Sequence, residues 1–580
     1  MLVSRGKPLI VQGDRTVFLE VDHPDFEAVR SVLMTFAELE KSPEHVHVYR
    51  ITPLSLWNAA AAGMSAESIC EFLTEFGKYP VPSTLRKEIT EFVARYGLLK
   101  LVRTGTTLQL YSAEPSALAD VLRMAAVGEC MLESEPSAVE GGFAAAVRAE
   151  CRGHLKLALI RLGYPVEDVA GYRDGAALTF DLRRELPSRG AAPFALRPYQ
   201  TEAVEAFYAS GSAAGGSGVV VLPCGAGKTI VGIGVLYRVQ SQALIISTNI
   251  TALRQWRREL LEKTNLDPEQ IGEYSGDRKE IRPITLTTYQ MLTFRKKKLD
   301  ELVHFRLFSA RDWGLIIYDE VHLLPAPVFR LTAEIQATRR LGLTATLVRE
   351  DGREDEVFSL IGPRKYDLPW RSLEAQGWIA NASCVELRCP LGGEDAQRYL
   401  TADRRGKFRI ASENATKLEV LKSIVQRHRA DRVLIIGQYL DQLKRIQREL
   451  AAPIITGKTP SPEREKLYAS FRSGDIPVLI VSKVGNFAVD LPDANVAVQI
   501  SGTFGSRQEE AQRLGRILRP KTDGGPAVFY SIVTRESRDQ EFAEKRQLFL
   551  TEQGYHYTIR EVAASGLLPR ESFGAQQDSA

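Results

Sequence analysis

Few features of this 580-residue chain offer a covalent or metal-bound framework. Its six cysteines (Cys70, Cys130, Cys151, Cys224, Cys384 and Cys389) are scattered and none forms a CxxC pair. A disulfide scaffold or a zinc knuckle is therefore not expected, and a reducing compartment is. No apolar run approaches the roughly 18 residues of a membrane span. The opening "MLVSRGKPLIVQGDRTV" lacks the long apolar core of a signal peptide, so a cytoplasmic location without a membrane partner is expected. Charge of one sign is also missing: 75 basic against 72 acidic side chains leave a net +3. That balance neither demands nor excludes a nucleic-acid partner, because a local basic groove can sit on a near-neutral protein.

With 44% hydrophobic and 25% charged residues, the composition is globular, and the length implies several domains. Two regions alternate short apolar strands with amphipathic helices, the pattern of parallel α/β layers. The first has strands near "GVVVL", "ALIIST", "ITLTTY", "GLIIYDE" and "LGLTAT"; the second has "RVLIIG", "VLIVS", "VAVQIS" and "AVFYSIV". Gln376 to Gly393 reads as a crossing between them. In the N-terminal third, two helices followed by a hairpin around Thr104–Gly105 suggest a winged helix, suited to DNA contact or to protein docking. Linkers are suggested by "SEPSAVEGG", "ELPSRGAAP" and "SGSAAGGSG".

The stretch "VVVLPCGAGKTIVGIGVL" (Val219 to Leu236) carries the first chemistry. An apolar strand enters a glycine-bearing turn and leaves as a helix. Gly225 and Gly227 let backbone N–H groups turn toward an anion, with Pro223, Cys224 and Ala226 completing the loop. Lys228 supplies a charge for the outer phosphates of ATP, and Thr229 a hydroxyl for Mg²⁺. The following helix aims the positive end of its dipole at the same anion. A strict phosphate loop has glycine where this chain has Leu222, and the competing reading is an ordinary strand–turn–helix with a surface lysine. About 90 residues on, "LIIYDEVH" places Asp319 and Glu320 at the end of a buried strand. There Asp319 can hold Mg²⁺ and Glu320 can polarise an attacking water. A second phosphate signal at that distance argues against two merely capping carboxylates.

"QRLGRILR" in the second α/β region sets Arg516 and Arg519 three apart on a helical stretch, so both can face one way. Two guanidinium groups reaching ATP held by the first region would stabilise charge as the γ-phosphate leaves. "DRRGKFR" gathers Arg404, Arg405, Lys407 and Arg409 around Phe408, a set suited to phosphate contact plus base stacking. "RKKK" (Arg295 to Lys298) is a second basic run that could line a DNA path. A solvated surface is the alternative for both runs.

These elements resemble the superfamily-two helicases, and among them the bacterial XPB (xeroderma pigmentosum group B) type of DNA repair helicase. The matching segments, in the family's order, are "LRPYQ", "PCGAGKT", "TNITALRQW", "YDEVH", "GLTATLVRED" and "QEEAQRLGRILRPK". The "RED" triplet after "TAT" is specific to XPB, and "EHVHVYRITPLSLWNA" is similar to the bacterial XPB N-terminal domain. The resemblance implies two RecA-like lobes, 191–375 and 376–558, with a short thumb-like insertion at 394–416. It also implies an accessory domain at 1–133, a damage-recognition-like domain at 143–184 and a flexible tail at 559–580. Gln200 would read the adenine edge with Arg197 close by. Thr344, Ala345 and Thr346 would couple nucleotide state to DNA grip, and Gly485 and Asp490 would link the second lobe to nucleotide and strand. Arg349, Glu350 and Asp351 would sit near the strand junction and serve unwinding. Gln512 stands where RNA-directed DEAD-box proteins usually carry histidine, which favours the DNA branch. Asn486 departs from the family's usual aspartate and puts one charged contact in doubt. The implied activity is ATP-dependent 3′–5′ DNA helicase or translocase in repair, acting on single-stranded, forked or 3′-tailed DNA, with a nuclease as a possible partner. The alternatives are an RNA helicase and a non-unwinding motor or scaffold that recruits a nuclease.

Overall fold

The structure, a computed structural model, describes residues 6–43, 45–186, 192–223, 225–294, 303–325, 328, 332–336, 338–345, 353–369, 372–373, 376, 382–482, 494–502, 527–552 and 557–563. The chain divides into two compact units, the first running to Pro223 and through Gly227–Leu368, the second comprising Cys224–Ala226 and the chain from Pro369.

The first unit begins with an antiparallel sheet, β1 (Leu9–Val11), β2 (Thr16–Glu20), β3 (Glu38–Lys41) and β4 (Val46–Arg50), in the order β1-β2-β4-β3. The expected helix–helix–hairpin follows: helices Ala66–Phe76 and Ser83–Arg95, then β5 (Leu99–Thr104) and β6 (Thr107–Ser112). The hairpin is not a free wing. It lies inside a five-stranded sheet with β7 (Ser137–Val139), β8 (Gly142–Val147) and β9 (Val166–Asp168), ordered β7-β8-β6-β5-β9. Leu99, Leu101, Leu108 and Leu110 turn one face of it into a core with the helix Arg152–Arg161, so the hairpin is held by packing on that face and by strand pairing on both edges. A short pair, β10 (Glu185–Leu186) and β11 (Ala192–Pro193), leads onward.

A seven-stranded sheet then forms from β12 (Ser217–Val221), β13 (Ala243–Ser247), β14 (Ile271–Tyr274), β15 (Ile284–Thr288), β16 (Leu315–Asp319), β17 (Arg339–Thr344) and β18 (Arg364–Asp367). Its order is β14-β15-β13-β16-β17-β12-β18 and every pairing is parallel. The second unit builds another all-parallel sheet from β19 (Ala382–Cys389), β20 (Val433–Gly437), β21 (Ile454–Ile455), β22 (Val478–Ser482), β23 (Val496–Gln499), β24 (Ala527–Thr534) and β25 (Tyr557–Glu561). Its order is β21-β22-β20-β23-β24-β19-β25. Counted within each lobe, both orders read 3-4-2-5-6-1-7. The two lobes share one topology.

Central strands are buried on both faces, which is why they read as unbroken apolar runs. In β20, Val433 and Ile435 join one core while Leu434 and Ile436 join another. Two expectations change here, the crossing and the stacking role of Phe408. Ala382–Cys389, inside the stretch read as a crossing, is a full strand paired with both β24 and β25. The region read as a thumb-like insertion carries two helices, Gly393–Thr401 and Arg404–Ser412. In the second of these Phe408 is fully buried, edge-on to Phe542 at 5.1 Å. It is a core residue and cannot stack on a base. Arg404, Arg405 and Arg409 are exposed, although Arg409 is paired with Glu413 at 2.9 Å and Asp441 at 3.3 Å. Lys407 is half-buried, its Nζ 5.6 Å from the centre of the Tyr399 ring.

The five-stranded sheet is joined to the first lobe by a buried polar node. Arg152 donates twice to Asp168, at 2.6 and 3.1 Å, and Lys156 Nζ reaches both Asp168 (3.1 Å) and Gln336 (3.0 Å). Arg340, at the start of β17, is fully buried and donates to the carbonyls of Leu360 and Gln336. The Tyr172 ring lies between the two guanidinium groups, 5.3 Å from Arg152 and 5.4 Å from Arg340. Gly153 is required at this contact: a Cβ there would fall 2.3 Å from the Ala333 carbonyl oxygen. A second, apolar contact brings Trp57, Ile160 and Phe358 together.

Candidate active site

The strand order decides what can meet. β17 lies between β12 and β16, so the C-terminal ends of these three strands form one edge. Val221 pairs with Thr344 and Asp319 with Leu343. The loop after β12, the acid pair after β16 and the "TAT" segment after β17 therefore share a rim, where parallel α/β sheets bind ligands.

After β12, Leu222 N–H donates to the Thr344 carbonyl at 2.9 Å. Gly225 and Gly227 adopt φ of +84° and +83°, a region that favours glycine. Gly227 caps the helix Lys228–Val239. A Cβ on Gly227 would lie 2.6 Å from Gln200 Nε2, so the Gln200 amide is pressed against the loop. Gln200 is itself buried and fixed, its Oε1 accepting from Arg197 N–H at 3.0 Å, while Arg197 Nη1 donates to Tyr199 Oη at 3.1 Å. Thr229, on the first turn, is half-buried. Ala226 and Pro223 are buried.

Lys228 Nζ lies 3.5 Å from Glu320 Oε1, with both side chains largely shielded. Glu320 holds a left-handed backbone, φ +52° and ψ +55°, at the start of the turn Val321–Leu323. For a non-glycine residue this costs of order 1–2 kcal/mol, and such strain concentrates at functional sites. His322 Nδ1 is 2.6 Å from Thr344 Oγ1 and 3.6 Å from Glu320 Oε2, which ties the end of β16 to the end of β17. Asp319 is fixed twice: Trp256 Nε1 donates to its Oδ2 at 2.9 Å, and Tyr289 Oη donates to its carbonyl at 3.0 Å. Burial, and then the neighbouring Glu320, push the Asp319 carboxyl up to about 6. A carboxylate held that high beside a second acid and below a lysine has the chemistry of a divalent-cation ligand, since a cation would relieve the repulsion between the pair.

The structure thus brings Arg197, Gln200, Gly227, Lys228, Asp319, Glu320, Thr344 and Ala345 into one neighbourhood of the first unit. Cys224, Thr346, Arg349, Glu350, Asp351, Gly485, Asp490, Arg516 and Arg519 lie outside the described residues, as do Arg295 to Lys298. Sequence reasoning missed the roles of Trp256 and Tyr289. Each bonds Asp319 from 63 and 30 residues away, and only the sheet order makes them neighbours.

Two parallel lobes of one topology, with a glycine-bearing loop and an acid pair on the two strands that flank β17 in the first, define a RecA-like helicase core. Sequence profiles agree: the ERCC3/RAD25/XPB C-terminal helicase profile matches residues 373–569 and the type III restriction enzyme res subunit profile matches 193–349. A profile described as a helicase conserved C-terminal domain matches residues 9–135. The DNA 3′-5′ helicase XPB of Mycobacterium tuberculosis is 53% identical over 96% of this chain and 98% of its own. That of Kineococcus radiotolerans is 52% identical over 95% and 96%. Among solved structures, the Hef helicase domain of Pyrococcus furiosus aligns with a TM-score of 0.40 at 14% identity, covering 56% of this chain and 94% of that one. The chain belongs to the XPB family of DNA helicases.

Proposed function

We propose that this chain is an ATP-dependent 3′–5′ DNA helicase acting in DNA repair, with its hydrolytic site on the rim formed by β12, β17 and β16. The observation that carries this reading is the Lys228–Glu320 pair at 3.5 Å, set beside an Asp319 anchored by Trp256 and Tyr289. Bound ATP with Mg²⁺ supplies the phosphoanhydride whose hydrolysis drives movement along DNA. Lys228 exchanges its contact with Glu320 for the outer phosphates. Glu320, released from the lysine, orients the attacking water and accepts its proton. Thr229 and Asp319 would hold the metal, and Gln200 with Arg197 would define the base end of the site beside Gly227. Thr344, through His322, carries the state of Glu320 to β17. Arg516 and Arg519 are assigned to the charge that develops on the departing phosphate. Arg404, Arg405 and Arg409 are assigned to DNA phosphates. A cytoplasmic location and a nuclease partner belong to the same reading.

The deciding experiment measures ATPase activity with single-stranded DNA, duplex DNA and RNA, together with unwinding of a 3′-tailed duplex. Stimulation by DNA plus unwinding is expected. Stimulation by RNA alone would make the chain an RNA helicase, and DNA stimulation without strand displacement would make it a non-unwinding motor.

A further inference from the structure

At the far edge of the first lobe, three rings gather where the outermost strands end. Tyr274 closes β14, and the short helix Tyr289–Thr293 that follows the neighbouring β15 delivers Phe294. His304 stands between them. Its ring is 5.6 Å from Tyr274, edge-on, and 6.2 Å from Phe294. Tyr274 Oη lies 2.9 Å from His304 Nδ1, a hydrogen bond whose direction follows the imidazole tautomer and which fixes the ring plane either way. Tyr274 is buried and acts as the support. Phe294, by contrast, leaves 52% of its surface in solvent. Two cations, Lys279 and Arg306, act on the His304 ring, while Asp277 and Glu280 share the loop that carries Lys279. Lys279 Nζ sits 4.7 Å from the centre of the Tyr274 ring, and Arg278 and Arg306 are exposed nearby in sequence. The acid closest along the strand, Glu273, is turned inward, buried and bonded to Ser275. Burial, Lys279 and Arg306 together hold the His304 imidazole below its ordinary range, so it is a neutral aromatic ring at physiological pH.

We propose that Phe294 and His304, supported by Tyr274 and flanked by Lys279, form a stacking platform for an unpaired base of single-stranded DNA at the C-terminal edge of the first sheet. This rests on the DNA reading above and adds to it a defined base contact. Three features point to a nucleic-acid base rather than an apolar protein segment. Lys279 and Arg306 stand close enough to act on the platform's imidazole, that imidazole is itself the second ring, and the platform's edge is the one that carries the ligand-binding loops of this sheet. The helix that presents Phe294 also carries Tyr289, whose hydroxyl donates to the Asp319 carbonyl, so the platform and the hydrolytic site share a short rigid element.

The test uses the full chain, a short single strand containing 2-aminopurine, and fluorescence titration at several salt concentrations. Phe294→Ala should bind about tenfold more weakly, the loss of one base–aromatic stack, and should lose the quenching of the stacked 2-aminopurine. Its log–log salt slope should match that of the parent, because no phosphate contact is removed. Phe294→Trp should restore affinity and quenching. Lys279→Ala should flatten the slope by about 0.7, one single-strand phosphate contact. Phe294 is exposed, so the thermal midpoints of its variants should stay with the parent. If the parent binds and Phe294→Ala binds equally, the platform is refuted while the DNA reading stands. If Phe294→Leu keeps full affinity, the patch is an apolar docking surface and the proposal falls. If the parent neither binds single strands nor is stimulated by them, both fall together.

Discussion

Replacing Asp168 by asparagine removes the carboxylate on which the contact between the five-stranded sheet and the first lobe depends. Asp168 is the acceptor for both Arg152 and Lys156, with Arg340 close enough to lower its proton affinity further. The three cations are almost wholly shielded from water, with Arg152 at 2%, Lys156 at 5% and Arg340 at 0% exposure. Breaking a buried pair by removing one partner costs about 3–5 kcal/mol, because the remaining charge stays desolvated. Asp168→Asn should lose stability in that range. Lys156→Met should lose much less, roughly 1–3 kcal/mol, from its two hydrogen bonds. Its charge is already disfavoured: burial holds Lys156 down to about 8, and Arg340 and Arg152 add to the effect against the pull of Asp168. Combining the two should therefore cost less than their sum, by about 0.5–3 kcal/mol.

The same node sets a pH signature. Between about pH 8 and the lysine's ordinary 10.5, the unfolded chain binds a proton at Lys156 that the folded chain does not. The contribution of Lys156 to stability therefore rises with pH across that window. Asp168 behaves as a depressed carboxylate: its contribution is present above the usual carboxylate range and disappears as pH falls below it. Urea unfolding followed by tryptophan fluorescence reads both effects, since Trp57, Trp256 and Trp313 all lie in the first unit. A loss below about 1 kcal/mol for Asp168→Asn, or strict additivity with Lys156→Met, would refute the account of the node as one coupled unit held by its single carboxylate.

The remaining predictions concern turnover. Lys228→Ala should abolish ATP hydrolysis, whereas Glu320→Gln should keep ATP binding and lose hydrolysis; nucleotide binding measured beside phosphate release separates the two. Arg516→Ala and Arg519→Ala should lower kcat more than ATP affinity, in the direction of the ~10³–10⁵ contributed by an arginine finger elsewhere, and a change in affinity alone would remove that assignment. Replacing Arg349, Glu350 and Asp351 together by alanine should leave DNA-stimulated ATPase largely intact and remove most unwinding. Each opened step costs on the order of 1.4 kcal/mol of stacking, so unwinding at the parental rate would exclude a wedge role.

The parts legible in the sequence are those whose cause is local. β12, β13 and β16 stand out because burial on both faces makes them nearly unbroken apolar runs, β15 and β17 because their apolar residues are spaced by threonine or glycine within a buried strand, and the loop after β12 because Gly225, Gly227 and Lys228 fall within four residues. β14 and β18 escaped for a physical reason. "IGEY" hides a buried glutamate satisfied by Ser275, and "RKYD" is an edge strand whose charges protect its open side. β19 escaped similarly: "ASCVELRC" contains Glu386, fully buried and held by Arg388 and Gln547. Phe408 misled in the opposite sense. One aromatic among basic residues fits a base-stacking run as well as an amphipathic helix, and only the Phe542 ring opposite decides for the second.

What no local pattern could give is the role of β17. Its first turn of chain holds Arg340, bound into the node that carries the five-stranded sheet, and its last residue is Thr344, bonded to His322 beside Glu320. Four residues of strand span roughly 13 Å at ~3.3 Å each, and residues an even number apart share a face. Asp168, Arg340 and Glu320 are far apart in sequence. The 3-4-2-5-6-1-7 order sets β17 between β12 and β16, so one strand carries Arg340 of the buried node near its start and Thr344, beside His322 and Glu320, at its end.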